Sequence, residues 1–333
     1  MEELLQKAIK RGEEERKRYI AISFPWKTDE PHAQQYYIFD SAGQDWKPAK
    51  SERPQDVGQD ITRLAVYNWN IDCMLPHAED RMKAALVHLE GLTSQLPPTT
   101  AAVIFLQECV VSDLTTVSEN GWIRDKFYIT DRSRSNWTSK ECGTTTLVDR
   151  RLSISSCFRV HYEKTRMARD AFFVDVSLGG KTIRLCNTHL ESLALEPPLR
   201  PAQMQLAAKF MHADGIHGAL AAGDFNAIQP FDRTLHSDNN LKDAYLELGG
   251  KEDSDEGYTW GQQASTGLRN RFGCSRMDKV FFRGGLKLLK FERFGGDVQL
   301  SEESQKEDIL ALGFEKPWIT DHLGVVAEVE ISD

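Results

Sequence analysis

The feature that most constrains this 333-residue chain is a repeated juxtaposition of strand-like runs with acid, amide or imidazole residues at their ends. Leu64 to Asn70 (LAVYNWN) leads into Ile71 and Asp72, and Val103 to Gln107 leads into Glu108. Thr182 to Asn187 leads into Thr188-His189-Leu190-Glu191-Ser192, and His217 to Ala222 leads into Gly223-Asp224-Phe225-Asn226. Asp278 opens the run Met277 to Phe282, and Asp321 and His322 precede the final run, Gly324 to Ile331. Taken singly, an Asn or Asp at a strand end reads as a turn former, and a lone Glu or His as a solvated or hydrogen-bonded residue. Taken together, the set supplies hard carboxylate and amide oxygens, a carboxylate able to act as general base, and imidazoles able to stabilise phosphoryl charge. Those are the parts that metal-assisted phosphoester hydrolysis requires.

The rest of the pattern says what holds these ends. Gly143 to Val148, Ala171 to Val176 and Leu286 to Phe291 are further strand candidates, and residues 78–91 and 201–213 have helical periodicity, the second behind Pro201, a favoured first-turn residue. Strands interleaved with a few helices predict an α/β sandwich of two sheets. Residues 2–19 read as a charged helix. Residues 20–60 are polar, contain proline and show no period, as expected of an extended lead-in or a partly disordered arm. No linker interrupts the chain afterwards, so we expect an N-terminal helix and arm over 1–60 and one catalytic domain over 61–333.

Composition limits the partners. Lys plus Arg total 41 against 50 Asp plus Glu, a net charge of −9, which excludes a protein that coats nucleic acid through bulk positive charge. The acidity is uneven, however: residues 131–170 carry +4 and residues 264–293 carry +6. Arg and Lys there would track phosphates, with Trp137, Tyr258 or Trp260 as stacking platforms for single-stranded DNA, although each alone also reads as a solvated or salt-bridged side chain or as core packing. The longest apolar run, Ala101 to Leu106, is far below the roughly 18 residues of a membrane span, and the N-terminal segment lacks the apolar stretch of a secretory signal. Six cysteines occur without a CxxC pair, as expected of reduced thiols in an intracellular protein that is not secreted.

The motifs, in this order, resemble the endonuclease/exonuclease/phosphatase superfamily, over Leu64 to Ile331. That resemblance implies a four-layer αββα sandwich of two mixed β-sheets flanked by helices. Within it, the segments look most like those of the tyrosyl-DNA phosphodiesterases: Trp69-Asn70-Ile71-Asp72, the Thr188 to Ser192 motif, Tyr258-Thr259-Trp260, and Arg276 to Arg283 (RMDKVFFR). Phe225 stands where Thr is expected in the Gly-Asp-x-Asn motif, and Thr320 where Ser usually precedes Asp-His. No counterpart of the ubiquitin-binding module of some relatives is evident in residues 1–60.

Carried onto these positions, the resemblance implies Glu108 as the principal Mg²⁺ ligand (Mn²⁺ substituting), with Asn70 and Asp321 beside it. Asp224 would activate or position the attacking water, and Asn226 would orient it or the phosphate. His322, its ring held by Asp278, would donate to the phosphoryl oxygen, and His189 would contact the phosphate from the opposite side. Arg269, Arg271, Arg276, Tyr258 and Trp260 are the candidate substrate contacts. The expected activity is hydrolysis of 5′-phosphotyrosyl bonds between DNA and a trapped topoisomerase, by a monomer acting on a single-stranded DNA end in the nucleus and/or cytoplasm, with no membrane partner. Another hydrolase of the family (nuclease, deadenylase or small-molecule phosphoesterase) is the alternative, and a catalytically inactive binding module a third reading.

Overall fold

The computed structural model describes residues 24–49 and 61–332. The strands are β1 (Pro31–Ala33), β2 (Tyr37–Asp40), β3 (Asp45–Pro48), β4 (Arg63–Asn70), β5 (Thr100–Cys109), β6 (Phe127–Ile129), β7 (Gly143–Asp149), β8 (Ser153–His161), β9 (Asp170–Leu178), β10 (Lys181–His189), β11 (Gly218–Asp224), β12 (Lys242–Asp243), β13 (Asp278–Gly284), β14 (Leu286–Phe294) and β15 (Gly324–Ile331). The helices are α1 (Ala78–Thr93), α2 (Val111–Glu119), α3 (Gly121–Lys126), α4 (Arg200–Met211), α5 (Ala244–Glu247), α6 (Thr266–Phe272) and α7 (Glu303–Ala311). One sheet has the order β1-β8-β9-β10-β11-β13-β12 and the other β14-β15-β4-β5-β7-β6-β2-β3. Both are mixed, because β4 pairs parallel to β5 and β10 parallel to β11 while their other neighbours are antiparallel.

Side-chain alternation explains the layering. On β4, Leu64 and Val66 join Val103 and Phe105 of β5, Leu185 of β10, Leu220 of β11 and Val280 of β13 in a core between the sheets. The intervening Ala65, Tyr67 and Trp69 face outward and are covered by Met82, Ala85, Leu86 and Leu89 of α1, spaced i, i+3, i+4, i+7. On the far side, Met204, Ala207, Ala208 and Met211 of α4 repeat that spacing against Phe173, Cys186 and Ala221. Helices thus cover the outer faces of two facing sheets, the expected four-layer arrangement.

The inner rows change character toward one end. After Leu64 and Val66 comes Asn68, after Val103 and Phe105 comes Gln107, and after Ile183 and Leu185 comes Asn187, all three amides fully buried. Gln107 Nε2 donates to Asn68 Oδ1 at 2.7 Å and to Asn187 Oδ1 at 2.8 Å, and Asn187 Nδ2 donates to the Thr145 carbonyl at 3.0 Å. This hydrogen-bonded amide layer is the floor of a polar pocket, because the next inward residues are Asn70, His189 and Asp224.

Among the described residues before 61, β1 extends one sheet beside β8, and β2 and β3 extend the other beside β6, so this part of the arm is built into both sheets. These edge strands are three or four residues long and contain Pro31 and Pro48, too short and too interrupted for a visible period. The helix expected over 2–19 lies outside the described residues. Among the described residues no helix is long and apolar enough to cross a membrane.

Candidate active site

Strand register assembles the pocket. His189 pairs with Asp224 across β10 and β11, and Asp224 pairs with Asp278 across β11 and β13, so three functional side chains lie side by side on one sheet. Gly223 permits the approach: a Cβ there would stand 1.7 Å from the Thr188 carbonyl oxygen. Asn70 arrives from the facing sheet and donates through Nδ2 to Asp224 Oδ2 at 3.0 Å.

Glu108 gets there by irregularity. On a regular strand it would follow Gln107 onto the opposite face. Instead the β5–β7 register shifts between Leu106 and Cys109, and Glu108 takes φ +57°, an unusual value for a residue with a side chain. Its Oε2 accepts from the Cys73 amide at 3.0 Å, and its Oε1 lies 3.8 Å from His189 Nε2. Ligand atoms of Glu108, His189 and Asp224 fall within 4.8 Å of one another, as do those of Asp224, Asp278 and His322.

The two imidazoles are oriented by different partners. Asp278 Oδ2 lies 2.8 Å from His322 Nδ1, while the other ring nitrogen is 3.8 Å from Asp224 Oδ2. Arg169 Nη1 lies 2.6 Å from His189 Nδ1; a guanidinium can only donate, so Nδ1 accepts and the proton sits on Nε2. That Nε2 is buried, finds no hydrogen-bond partner and lies 3.3 Å from Asp224 Oδ2. Arg169 is itself braced by Ser192 Oγ at 2.9 Å.

Electrostatics follow from burial and crowding. Burial alone would raise Asp224, but His322, His189 and the Asn226 amide outweigh it and hold the carboxyl below its usual range. Glu108 is likewise lowered, against burial, by His189 and Arg169. Burial opposes the charged form of His322, yet Asp278, Asp224 and Asp321 raise it well above an ordinary imidazole. Burial pushes Asp278 up to about 6 despite His322. Burial, then the charges of Asp321 and Glu108, push Asp72 up to about 8 against the pull of Arg81. Buried carboxyls raising one another are what a cation-binding pocket looks like. The donors are mostly oxygens, which fits a hard divalent ion.

Of the expected metal residues, Glu108 is in this cluster. Asn70 adjoins it, but its Oδ1 accepts from the Asp72 amide at 2.9 Å. Asp321 Oδ1 lies 3.8 Å from His322 Nε2, and its Oδ2 accepts from Trp260 Nε1 at 2.7 Å. Asn226 presents its amide to Asp224 Oδ1 at 2.8 Å and donates through Nδ2 to the Leu190 carbonyl at 3.1 Å.

The expected substrate contacts are more dispersed. Trp260 touches the site through Asp321 rather than as a free platform. Tyr258 is half-buried beside it, its carbonyl accepting from Arg293. Arg269 pairs with Glu315, and Arg271 is exposed at the end of α6. Arg276 is corrected: its side chain is 1% exposed and pairs with Asp243 at 2.7 Å and with Glu252, so it is structural. Lys279 and Arg159 are likewise buried in ion pairs, and Trp137 is buried with Nε1 on the Thr144 carbonyl at 3.0 Å. The charge count could not tell a buried paired cation from a solvated one.

Two positioning residues were missed. In the sequence Arg169 is one more cation of a basic stretch; only the fold puts it behind His189. Arg81 of α1 is fully buried and donates to the carbonyls of Asp72 and Ile319, both at 2.8 Å, and of Leu75 at 3.0 Å. It thereby ties the loop after β4 to the loop carrying Asp321 and His322.

The model of the Endonuclease/Exonuclease/phosphatase family matches residues 67–322. The chain belongs to that family. It is 27% identical to the Tyrosyl-DNA phosphodiesterase 2 of Bos taurus over 71% of this chain and 62% of that protein. It therefore spans less than two thirds of that relative's length. Among solved structures, a truncated Caenorhabditis elegans TDP2 aligns at 22% identity and TM-score 0.60 over 80% of this chain and 97% of that one. A D. rerio TDP2 complexed with single strand DNA product aligns at 16% identity and TM-score 0.60 over 80% and 99%.

Proposed function

We propose that this chain hydrolyses the 5′-phosphotyrosyl bond joining DNA to a trapped topoisomerase, acting as a monomer on a single-stranded DNA end, within the cell, in the nucleus and/or cytoplasm. Mg²⁺ is the proposed metal, with Mn²⁺ as substitute. The observation that carries the chemistry is the convergence of two imidazole Nε2 atoms, at 3.3 and 3.8 Å, on the single oxygen Asp224 Oδ2 beside Glu108. The name of the bovine relative supports the substrate.

The bound cation would supply Lewis-acid polarisation of the phosphoryl group and neutralise leaving-group charge. Glu108 would hold it, with Asp321 and Asn70 alongside. Asp224, kept ionised by its neighbours, accepts a hydrogen bond from the attacking water and aligns it with Asn226. His322, kept cationic by Asp278, donates from Nε2 to a phosphoryl oxygen as charge develops. His189 donates from Nε2 on the other side because Arg169 fixes its tautomer. Arg269, Arg271, Tyr258 and Trp260 are the proposed contacts to the flanking nucleotides or the peptide.

A second reading has one observation in its favour. Arg159, Arg276 and Lys279, half expected to track DNA, are buried in ion pairs, which suits a nuclease, deadenylase or small-molecule phosphoesterase with a smaller footprint. The complete donor set disfavours an inactive binding module. A panel with Mg²⁺ separates the readings: a 5′-phosphotyrosyl oligonucleotide, an unmodified oligonucleotide, an oligoadenylate and a small phosphodiester. Tyrosine release, with a KM that rises steeply with salt, is expected. Cleavage confined to the other substrates would replace the proposal with the alternative.

A further inference from the structure

Above the C-terminal end of β5, the loop after β4 meets the segment entering β7, and two thiols meet with them. Cys73 Sγ lies 3.1 Å from Cys142 Sγ. Both residues are half-buried, so a small oxidant has access. In the sheet β5 lies between β4 and β7, so a bond between these sulfurs would cross the end of the strand that carries Glu108. Cys73 is also the residue whose amide donates to Glu108 Oε2 at 3.0 Å. Cys142 sits on a braced segment. Its amide points to Ser139 Oγ at 3.4 Å, and it precedes Gly143, where a Cβ would stand 2.3 Å from the buried Trp137 ring.

We propose that Cys73 and Cys142 form an oxidative modification site, converted by a hydroperoxide to a disulfide that disturbs the hold on Glu108. In the first step Cys142 Sγ attacks the peroxide oxygen. The O–O bond breaks, hydroxide or alkoxide leaves and takes the thiol proton, and a sulfenic acid remains. Cys73 Sγ then attacks that sulfur, the S–O bond breaks, and water leaves with the second thiol proton. Two thiols lose two electrons in total, and the peroxide gains them.

The geometry sets the consequence. A disulfide bond is about 2.05 Å, so the sulfurs must close by about 1 Å. Trp137 and the β7 ladder brace the Cys142 side, so much of that movement falls on the Cys73 loop and on its amide contact to Glu108. Misplacement of a catalytic group by about 1 Å can cost on the order of 100-fold. The covalent step is independent of substrate, while its effect on turnover rests on the reading above.

The test uses the full chain treated with hydrogen peroxide, alkylated and digested without reductant. A peptide joining Cys73 to Cys142 is expected, with phosphotyrosyl hydrolysis reduced about 10- to 100-fold and restored by dithiothreitol. Cys142→Ser should keep its basal activity, form no cross-link and resist peroxide. Mn²⁺ affinity by calorimetry, weaker after oxidation and restored on reduction, is the readout that survives if phosphotyrosyl DNA is not the substrate. Absence of the cross-link in protein whose Cys142 has been oxidised, equal inactivation of Cys142→Ser, or a cross-linked protein with unchanged Mn²⁺ affinity and turnover would each overturn the proposal.

Discussion

Replacing Asp278 with asparagine isolates what one buried carboxylate does for His322. In the native site Oδ2 lies 2.8 Å from His322 Nδ1, and Oδ1 faces Asn68 Nδ2 at 3.4 Å. Because Asn68 Nδ2 is a donor, the new amide keeps its oxygen toward Asn68 and turns its NH₂ toward the ring. His322 Nδ1 must then accept, and the ring becomes neutral with its proton on Nε2. The hydrogen bond survives with its direction reversed, and the charge is lost. Hydrogen bonds involving a charged group contribute about 1.5–3 kcal/mol, so kcat should fall by about 10- to 150-fold. KM should change little, since the ring still donates to bound substrate. The assay is tyrosine release under single-turnover conditions at saturating metal, with a melting curve to show that the fold is retained. A loss smaller than about threefold, or one confined to KM, would refute the assignment of Asp278 as the group that keeps His322 charged.

Other perturbations bear on different parts of the account. Trp260→Phe removes the 2.7 Å bond to Asp321 Oδ2, and should raise the metal concentration needed for half-maximal activity several-fold, by about 1 kcal/mol, with the melting temperature nearly unchanged. Arg276→Met leaves the buried Asp243 without its cation; we expect a loss of about 3–5 kcal/mol in urea unfolding but an unchanged KM for the folded enzyme, and a raised KM alone would return Arg276 to the substrate surface. Burial, then Arg159 and His32, push His161 down to about 2, so the unfolded chain takes up a proton below about pH 6.5 that the folded protein refuses. Stability should therefore fall by about 2 kcal/mol from this group between pH 7 and pH 5, and His161→Gln should remove that share of the decline in urea midpoints.

What could be read from the residues, and what could not, divides along physical lines. The central strands were legible because each buries both faces or alternates cleanly: Leu64 to Asn70 runs as β4 and Thr182 to Asn187 lies inside β10. The strand β8 was not, because its serines break the apolar pattern, and neither were the short edges β1 to β3. The residues at strand ends were legible as a set because their side chains must be polar wherever they converge. Their geometry depends on features with no local signal: the bulge that turns Glu108 inward, and the approach of β10 to β11 over Gly223. Arg169 and Arg276 make the sharpest contrast. Both are arginines in basic stretches, yet one stands against His189 and the other is locked to Asp243. Only long-range register separates them.

We propose that Glu108, His189, Asp224 and His322 form one metal-dependent site for phosphotyrosyl hydrolysis. Its most direct test compares tyrosine release from a 5′-phosphotyrosyl oligonucleotide by the native chain and by Glu108→Gln, each titrated with Mg²⁺. We expect release by the native chain that requires the metal and leaves a 5′-phosphate, with none from the variant at any Mg²⁺ concentration. Equal release by both, or release that persists in a chelator, would contradict it.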